Sequence, residues 1–128
     1  MKWIGIVGSR RRNAIADMLK VEETFLRIYE DGDMIVSGGC PQGADAFAEA
    51  IAKKHQVPIM IHYAKWNKLG KAAGFIRNSD IADEADVLIA CVAEDRTGGT
   101  EDTIEKFKKR KKVQTYFKEK DKKDLFIV

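Results

Sequence analysis

The chain has 128 residues, 45% of them hydrophobic and 34% charged, with a formal net charge of +3. That length fits one domain with a core of its own, and the composition is that of an ordinary soluble globular protein. The charge is too small to argue for nucleic acid by itself, and no apolar run approaches the length of a membrane span.

The predicted elements alternate between short apolar runs and longer stretches of helical period. Trp3-Ile4-Gly5-Ile6-Val7 is a strand running into Gly8-Ser9. From about Ala14 to Tyr29, Ile15, Met18, Leu19, Phe25, Leu26 and Tyr29 are spaced as a helix face. Asp31-Gly32-Asp33 is a turn. Met34-Ile35-Val36 is a second strand, ending in Ser37-Gly38-Gly39. Ala44 to Lys54 is helical, with Phe47 and Ile51 on one face. Val57 to Ile61 reads as a third strand, and about Lys71 to Ala85 as a third helix. Val87 to Val92 is a fourth strand. Gly98-Gly99-Thr100 opens a fourth helix to about Lys109. Val113 to Phe117 reads as a fifth strand, and Leu125 to Val128 as a sixth short strand or an edge addition.

Strands that are apolar throughout have both faces covered by helices. The alternation therefore predicts an α/β, three-layer Rossmann-like domain: a mostly parallel five-stranded sheet with helices on both faces. One domain is expected over 1–128, with a basic segment from about 106 (Lys106, Lys108, Lys109, Arg110, Lys111, Lys112 and the lysines beyond). The chain starts on an apolar strand without a secretion signal. Its two cysteines, Cys40 and Cys91, lie far apart, so a reduced, cytoplasmic protein is expected. With His55 and His62 as the only histidines, there is no metal-ligand spacing, and no cofactor is expected.

In an open α/β sheet, ligands sit beyond the carboxyl ends of the strands, at the switch point. Three of the four strand ends there carry glycine plus a hydroxyl residue before a helix: Gly8-Ser9-Arg10, Ser37-Gly38-Gly39 and Gly98-Gly99-Thr100. A phosphate needs backbone N–H groups and a helix N-terminus aimed at it. Glycine permits the close approach. In Gly38-Gly39-Cys40-Pro41-Gln42-Gly43-Ala44-Asp45, Gly43 sits where a helix begins. Asp45, in the first turn, is either a macrodipole partner or an acceptor for a ribose hydroxyl or base. Arg77 and Asn78 are polar groups on an otherwise core-facing helix. Arg77 either forks a phosphate, lies on a solvated helix face or pairs with Asp80 or Glu84. Trp66 is a stacking platform or a core lid. His62 is read as structural, Cys40 as an inert small residue, and the C-terminal lysines as a solvated face before a nucleic-acid arm.

This ordered set, with Gly70-Lys71-Ala72-Ala73-Gly74 included, resembles the SLOG superfamily. That Rossmann-like group includes the lonely-guy phosphoribohydrolases and DNA-processing protein A; the resemblance is nearest to its small YspA-like domains. It covers Ile4 to about Phe107. It implies a nucleotide-derived ligand in a pocket between Gly8, Gly39, Arg77 and Thr100, and suggests a homodimer. Lonely-guy enzymes carry a Pro-Gly-Gly-x-Gly-Thr-x-Glu-Glu type loop whose glutamate works with an arginine on an N-glycosidic bond. Arg77 matches that arginine's place. The loop here, Thr97 to Thr103, is shorter. Asp102 falls where the glutamate would be, reaching about one methylene less far, with Glu101 beside it. The expectation is therefore binding of a nucleotide or nucleotide-derived phosphorylated small molecule. The alternatives are phosphoribohydrolase-type cleavage, with Arg77, Asp102 and Glu101 catalytic, and association with single-stranded nucleic acid.

Overall fold

The computed structural model describes residues 1–116 and 124–128. Its elements run β1 (Trp3–Gly8), α1 (Ile15–Ile28), β2 (Met34–Ser37), α2 (Ala44–His55), β3 (Ile59–Ile61), α3 (Trp66–Leu69), α4 (Ala72–Glu84), β4 (Val87–Cys91), α5 (Gly99–Tyr116) and β5 (Asp124–Ile127). The five strands form one sheet in the order β3-β2-β1-β4-β5, and every pairing is parallel. The chain builds outward from β1 to β3, then crosses back to lay β4 on the other side of β1. The switch point is therefore the β1/β4 pair, with Gly8 level with Cys91 at its carboxyl end.

The strand residues divide between two apolar layers, as the two-residue side-chain period requires. Ile4, Ile6, Ile35, Ile89 and Cys91 face Val21 and Phe25 of α1 and Phe47, Ala48 and Ile51 of α2. Val7, Val36, Leu88 and Ala90 face Ile81 and Ala82 of α4 and Ile104 and Phe107 of α5. Phe126 packs on the first layer and Leu125 on the second, so β5 belongs to the core on both faces. The expected three-layer parallel architecture is the observed one.

Two expected elements differ. Val113 to Tyr116 continues α5 instead of forming a strand, and Phe117 lies outside the described residues. Val, Thr, Tyr and Phe favour strands, but no Gly, Pro or Asn after Gly99 is present to stop the helix. The fifth strand is instead the segment read as an edge addition, Asp124–Ile127. The structure also adds α3, a single turn too short for a hydrophobic period to reveal.

At the amino end of the sheet, acidic side chains tie turns to strands. Asp33, almost fully buried, accepts from the Lys2 backbone N–H (2.8 Å), the Lys2 ammonium (2.6 Å) and the Glu30 N–H (2.9 Å). Asp86 accepts from Trp3 N–H at 2.8 Å. The opposite, carboxyl-end edge carries the glycine loops.

Candidate functional site

The glycines of the carboxyl edge divide by what occupies the space a side chain would take. At Gly8, a Cβ would lie 2.6 Å from Ala44 Cβ and 2.8 Å from Cys91 Cβ, so this glycine lets α2 pack on the β1/β4 pair. Gly43 has φ +75° and would meet the Ser9 carbonyl at 2.6 Å. Its N–H donates to Asn13 Oδ1 at 2.8 Å. The Ser9 N–H donates to Cys91 O at 2.9 Å, and the Ser9 hydroxyl accepts from the Arg11 N–H at 3.2 Å. The loop after β1 is thus closed on the chain itself. Gly8, Ser9 and Gly43 shape the edge, while Arg10 projects exposed beside them.

Gly38 and Gly39 have a different surrounding. A Cβ on Gly38 would lie 2.7 Å from Arg77 Nη1 and 2.8 Å from Asp45 Oδ2. Arg77, half-buried on α4, donates from Nη1 to Gly38 O at 2.7 Å and from Nε to Asn78 Oδ1 at 3.1 Å. It makes no ion pair among the described residues, so the alternative of a salt bridge to Asp80 or Glu84 is not formed; Glu84 faces His62 instead, at 3.2 Å. Gly39, at φ +76°, lies under the Tyr63 ring, whose Cε1 would be 2.6 Å from a Cβ there.

Asp45 is only 7% exposed. Its Oδ2 accepts from the Cys40 N–H at 3.1 Å, and its Oδ1 lies 3.1 Å from the Ser37 hydroxyl, which also sits 2.6 Å from Ile6 O. Both oxygens are engaged within the chain, where they hold the Gly38–Cys40 turn. Burial pushes its carboxyl above the usual value, against the opposing pull of the Cys40 N–H, the Arg77 charge and Ser37. Ser37 serves this network rather than an exposed cradle.

Asn78 links the two halves of the site. It is 7% exposed, and its Nδ2 donates to Gly99 O at 3.3 Å and Asp102 Oδ2 at 3.1 Å. Arg77 and Asp102 are thereby bridged through one amide. Asp102 Oδ2 also takes the Lys106 ammonium at 2.7 Å. Glu101 points away from this bridge, held by Arg96 through paired contacts of 2.9 Å. Gly98, at φ +108°, and Gly99 open α5 on the exposed rim, and Thr100 is buried just inside it.

A contact absent from the sequence reading spans the switch point. Arg11 donates to Asp95 Oδ2 at 2.8 Å and to the carbonyl and hydroxyl oxygens of Thr97 at 2.8 and 2.9 Å, strapping the loop after β1 to the loop after β4. The Arg11 hydrogen bond lowers the Asp95 carboxyl to about 2, with help from Thr97. Arg12 is likewise structural, pairing with Asp17 and donating to Val92 O and Val128 O. Trp66 is 56% exposed, and its ring edge rests on Gly74, so it is not a core side chain. Tyr63 was not singled out in the sequence; its signal was the glycine it needs opposite, which only the fold pairs with it.

The structure therefore brings together Gly38, Gly39, Asp45, Arg77, Asn78, Gly99 and Asp102, with Trp66 one turn of α4 away. Gly8, Ser9 and Gly43 are turned to internal packing, and Glu101 is drawn off by Arg96. Among the described residues, no group of three His, Cys, Asp or Glu side chains is placed to hold a metal ion, and no helix is long and apolar enough to cross a membrane. No family model matches the chain, and no curated protein or solved structure matches it.

Proposed function

We propose that the chain binds a nucleotide or a nucleotide-derived phosphorylated small molecule at the carboxyl edge of its sheet. The observation that carries this reading is Arg77. Its half-buried guanidinium is bonded directly by carbonyl and amide oxygens and makes no ion pair among the described residues, although the Asp45 carboxylate lies near enough to feel its charge. Phosphate is the anion its forked donors suit. The N-terminus of α5, with Gly98 and Gly99 exposed at its rim, adds backbone donors and the positive end of a helix dipole. The resemblance to SLOG domains points the same way. Isothermal titration with nucleoside phosphates, nucleotide sugars and ADP-ribose tests it. Micromolar binding that Arg77→Ala weakens at least tenfold is expected, and no binding by any of them would sink it.

A second reading, cleavage of an N-glycosidic bond, is favoured by one observation: Asn78 bridges Arg77 to Asp102. Release of free base from a nucleoside monophosphate, lost in Asp102→Asn, is its direct assay. The resemblance also proposes a homodimer. The outward residues Ile15, Leu19 and Leu26 of α1 supply apolar surface for it, and sedimentation of the wild type against Leu19→Asp reads it.

A further inference from the structure

The segment from His62 to Lys71, which leads from the edge strand β3 into α4, has chemistry that the phosphate site does not use. Tyr63 is 65% exposed, with one side of its ring seated on Gly39. Trp66 rests on Gly74, whose Cβ would lie 3.0 Å from the indole Cη2. Gly74 is one helical turn before Arg77, so the two share a face of α4. Arg77 in turn covers Gly38, next in the chain to Gly39. One circuit of contacts therefore joins both rings to the guanidinium. Each ring is steadied by a glycine, which leaves aromatic surface open to water.

Charge is equally one-sided. There is no Asp or Glu between Glu49 and Asp80. Lys65, Lys68 and Lys71 are all exposed and make no ion pair among the described residues. Exposed rings beside unbalanced cations match an aromatic polyanion: a base for the π-faces and phosphates for the ammonium groups. One phosphate is enough for Arg77; three further lysines answer to more. The rings lie three residues apart, Tyr63 in the loop after β3 and Trp66 at the start of α3, a short span that suits one small ligand better than a strand of nucleic acid.

We propose that the ligand is a nucleotide carrying two or more phosphates, its base stacked on Trp66 and Tyr63, its first phosphate at Arg77 and the others met by Lys65, Lys68 and Lys71. This rests on the nucleotide reading above. The test titrates the full chain with adenosine and guanosine mono-, di- and triphosphates and with a dT 12-mer, by calorimetry and tryptophan fluorescence. The diphosphate of one base binds at least tenfold more tightly than its monophosphate and quenches the fluorescence. Trp66→Ala abolishes the quench and weakens binding about tenfold. The triple variant Lys65→Ala/Lys68→Ala/Lys71→Ala erases the advantage of the diphosphate but leaves monophosphate affinity within twofold. Equal affinity for mono- and diphosphate overturns this proposal and spares the nucleotide reading. No binding by any nucleotide overturns both. Tighter, lysine-dependent binding of the 12-mer overturns it in favour of single-stranded nucleic acid.

Discussion

Asp45 combines a first-turn position on α2 with burial, and the two act in opposite senses. A helix N-terminus favours its anion, but desolvation is larger and holds the proton more firmly in the folded chain than the ordinary 3.8. The folded state then binds more protons than the unfolded state above pH 3.8. This group's contribution consequently falls as pH rises through its folded value. Asparagine meets the same partners: its oxygen accepts from the Cys40 N–H, and its amide donates to the Ser37 hydroxyl, which donates to Ile6 O. Asp45→Asn should raise stability at pH 7, with the gain shrinking towards pH 4. Urea midpoints at the two pH values measure it, and a loss at pH 7 would refute the assignment. Gly38 gives a second residue-scale test. Its Cβ would displace the Arg77 guanidinium, so Gly38→Ala and Arg77→Ala should each weaken ligand binding at least tenfold. Because both act on one group, the double variant should bind no worse than the weaker single variant.

At the scale of elements, legibility followed what each segment depends on. β1, β2 and β4 were plain in the sequence because burial on both faces makes them apolar throughout. α2 and α4 were plain because each buries one stripe; α1 was plain as a helix, but of the face read for it only Phe25 is fully buried, and Ile15, Leu19 and Leu26 point outward. Segment 113–116 misled because local propensity favours a strand, whereas a helix already running needs a stop signal, and none is present. The site was half legible. Arg77, Asn78 and the glycines were found from residue type and position. Tyr63 on Gly39 and Arg11 on Asp95 were not, because both contacts join loops from different strands. Nor could spacing tell that Gly8 sits against Ala44 and Cys91 and Gly43 against the Ser9 carbonyl. Asn78 is the element-scale joint, tying α4 to the first turn of α5. Asn78→Ala leaves Gly99 O and Asp102 without that donor and should cost about 1–3 kcal/mol, lowering the Tm by several degrees. Deleting Asp124–Val128 strips β4 of its neighbour, uncovers Leu125 and Phe126 packing and removes the Val128 carbonyl from Arg12. A loss of about 2–4 kcal/mol is expected from the two half-buried side chains.

For the whole molecule, the sheet order determines where a ligand can couple to stability. The β1/β4 switch point lies between the two loops strapped by Arg11, while Arg77 and Asn78 approach from the β2 side on α4. A ligand meeting both Arg77 and the start of α5 contacts elements on either side of β1, and its binding is transmitted to the global unfolding equilibrium. Linkage gives about 2.7 kcal/mol of stabilisation at a ligand concentration of one hundred times Kd, roughly ten degrees of Tm for a domain of this size. Arg77→Ala, with binding weakened at least tenfold, should cut that stabilisation to about 1.4 kcal/mol or less at the same concentration. Asp95→Asn should keep most of it, because the Arg11 strap is exposed and lies on the rim. Its own effect should be a small loss of stability. In the wild type, that contribution is present above about pH 4 and fades as the pH falls towards 2, since Asp95 is depressed in the folded state. Differential scanning calorimetry of the three proteins, each with and without ligand, separates the roles. Equal loss of the ligand shift in both variants would mean that the ligand sits under the strap between β1 and β4, and not against Arg77.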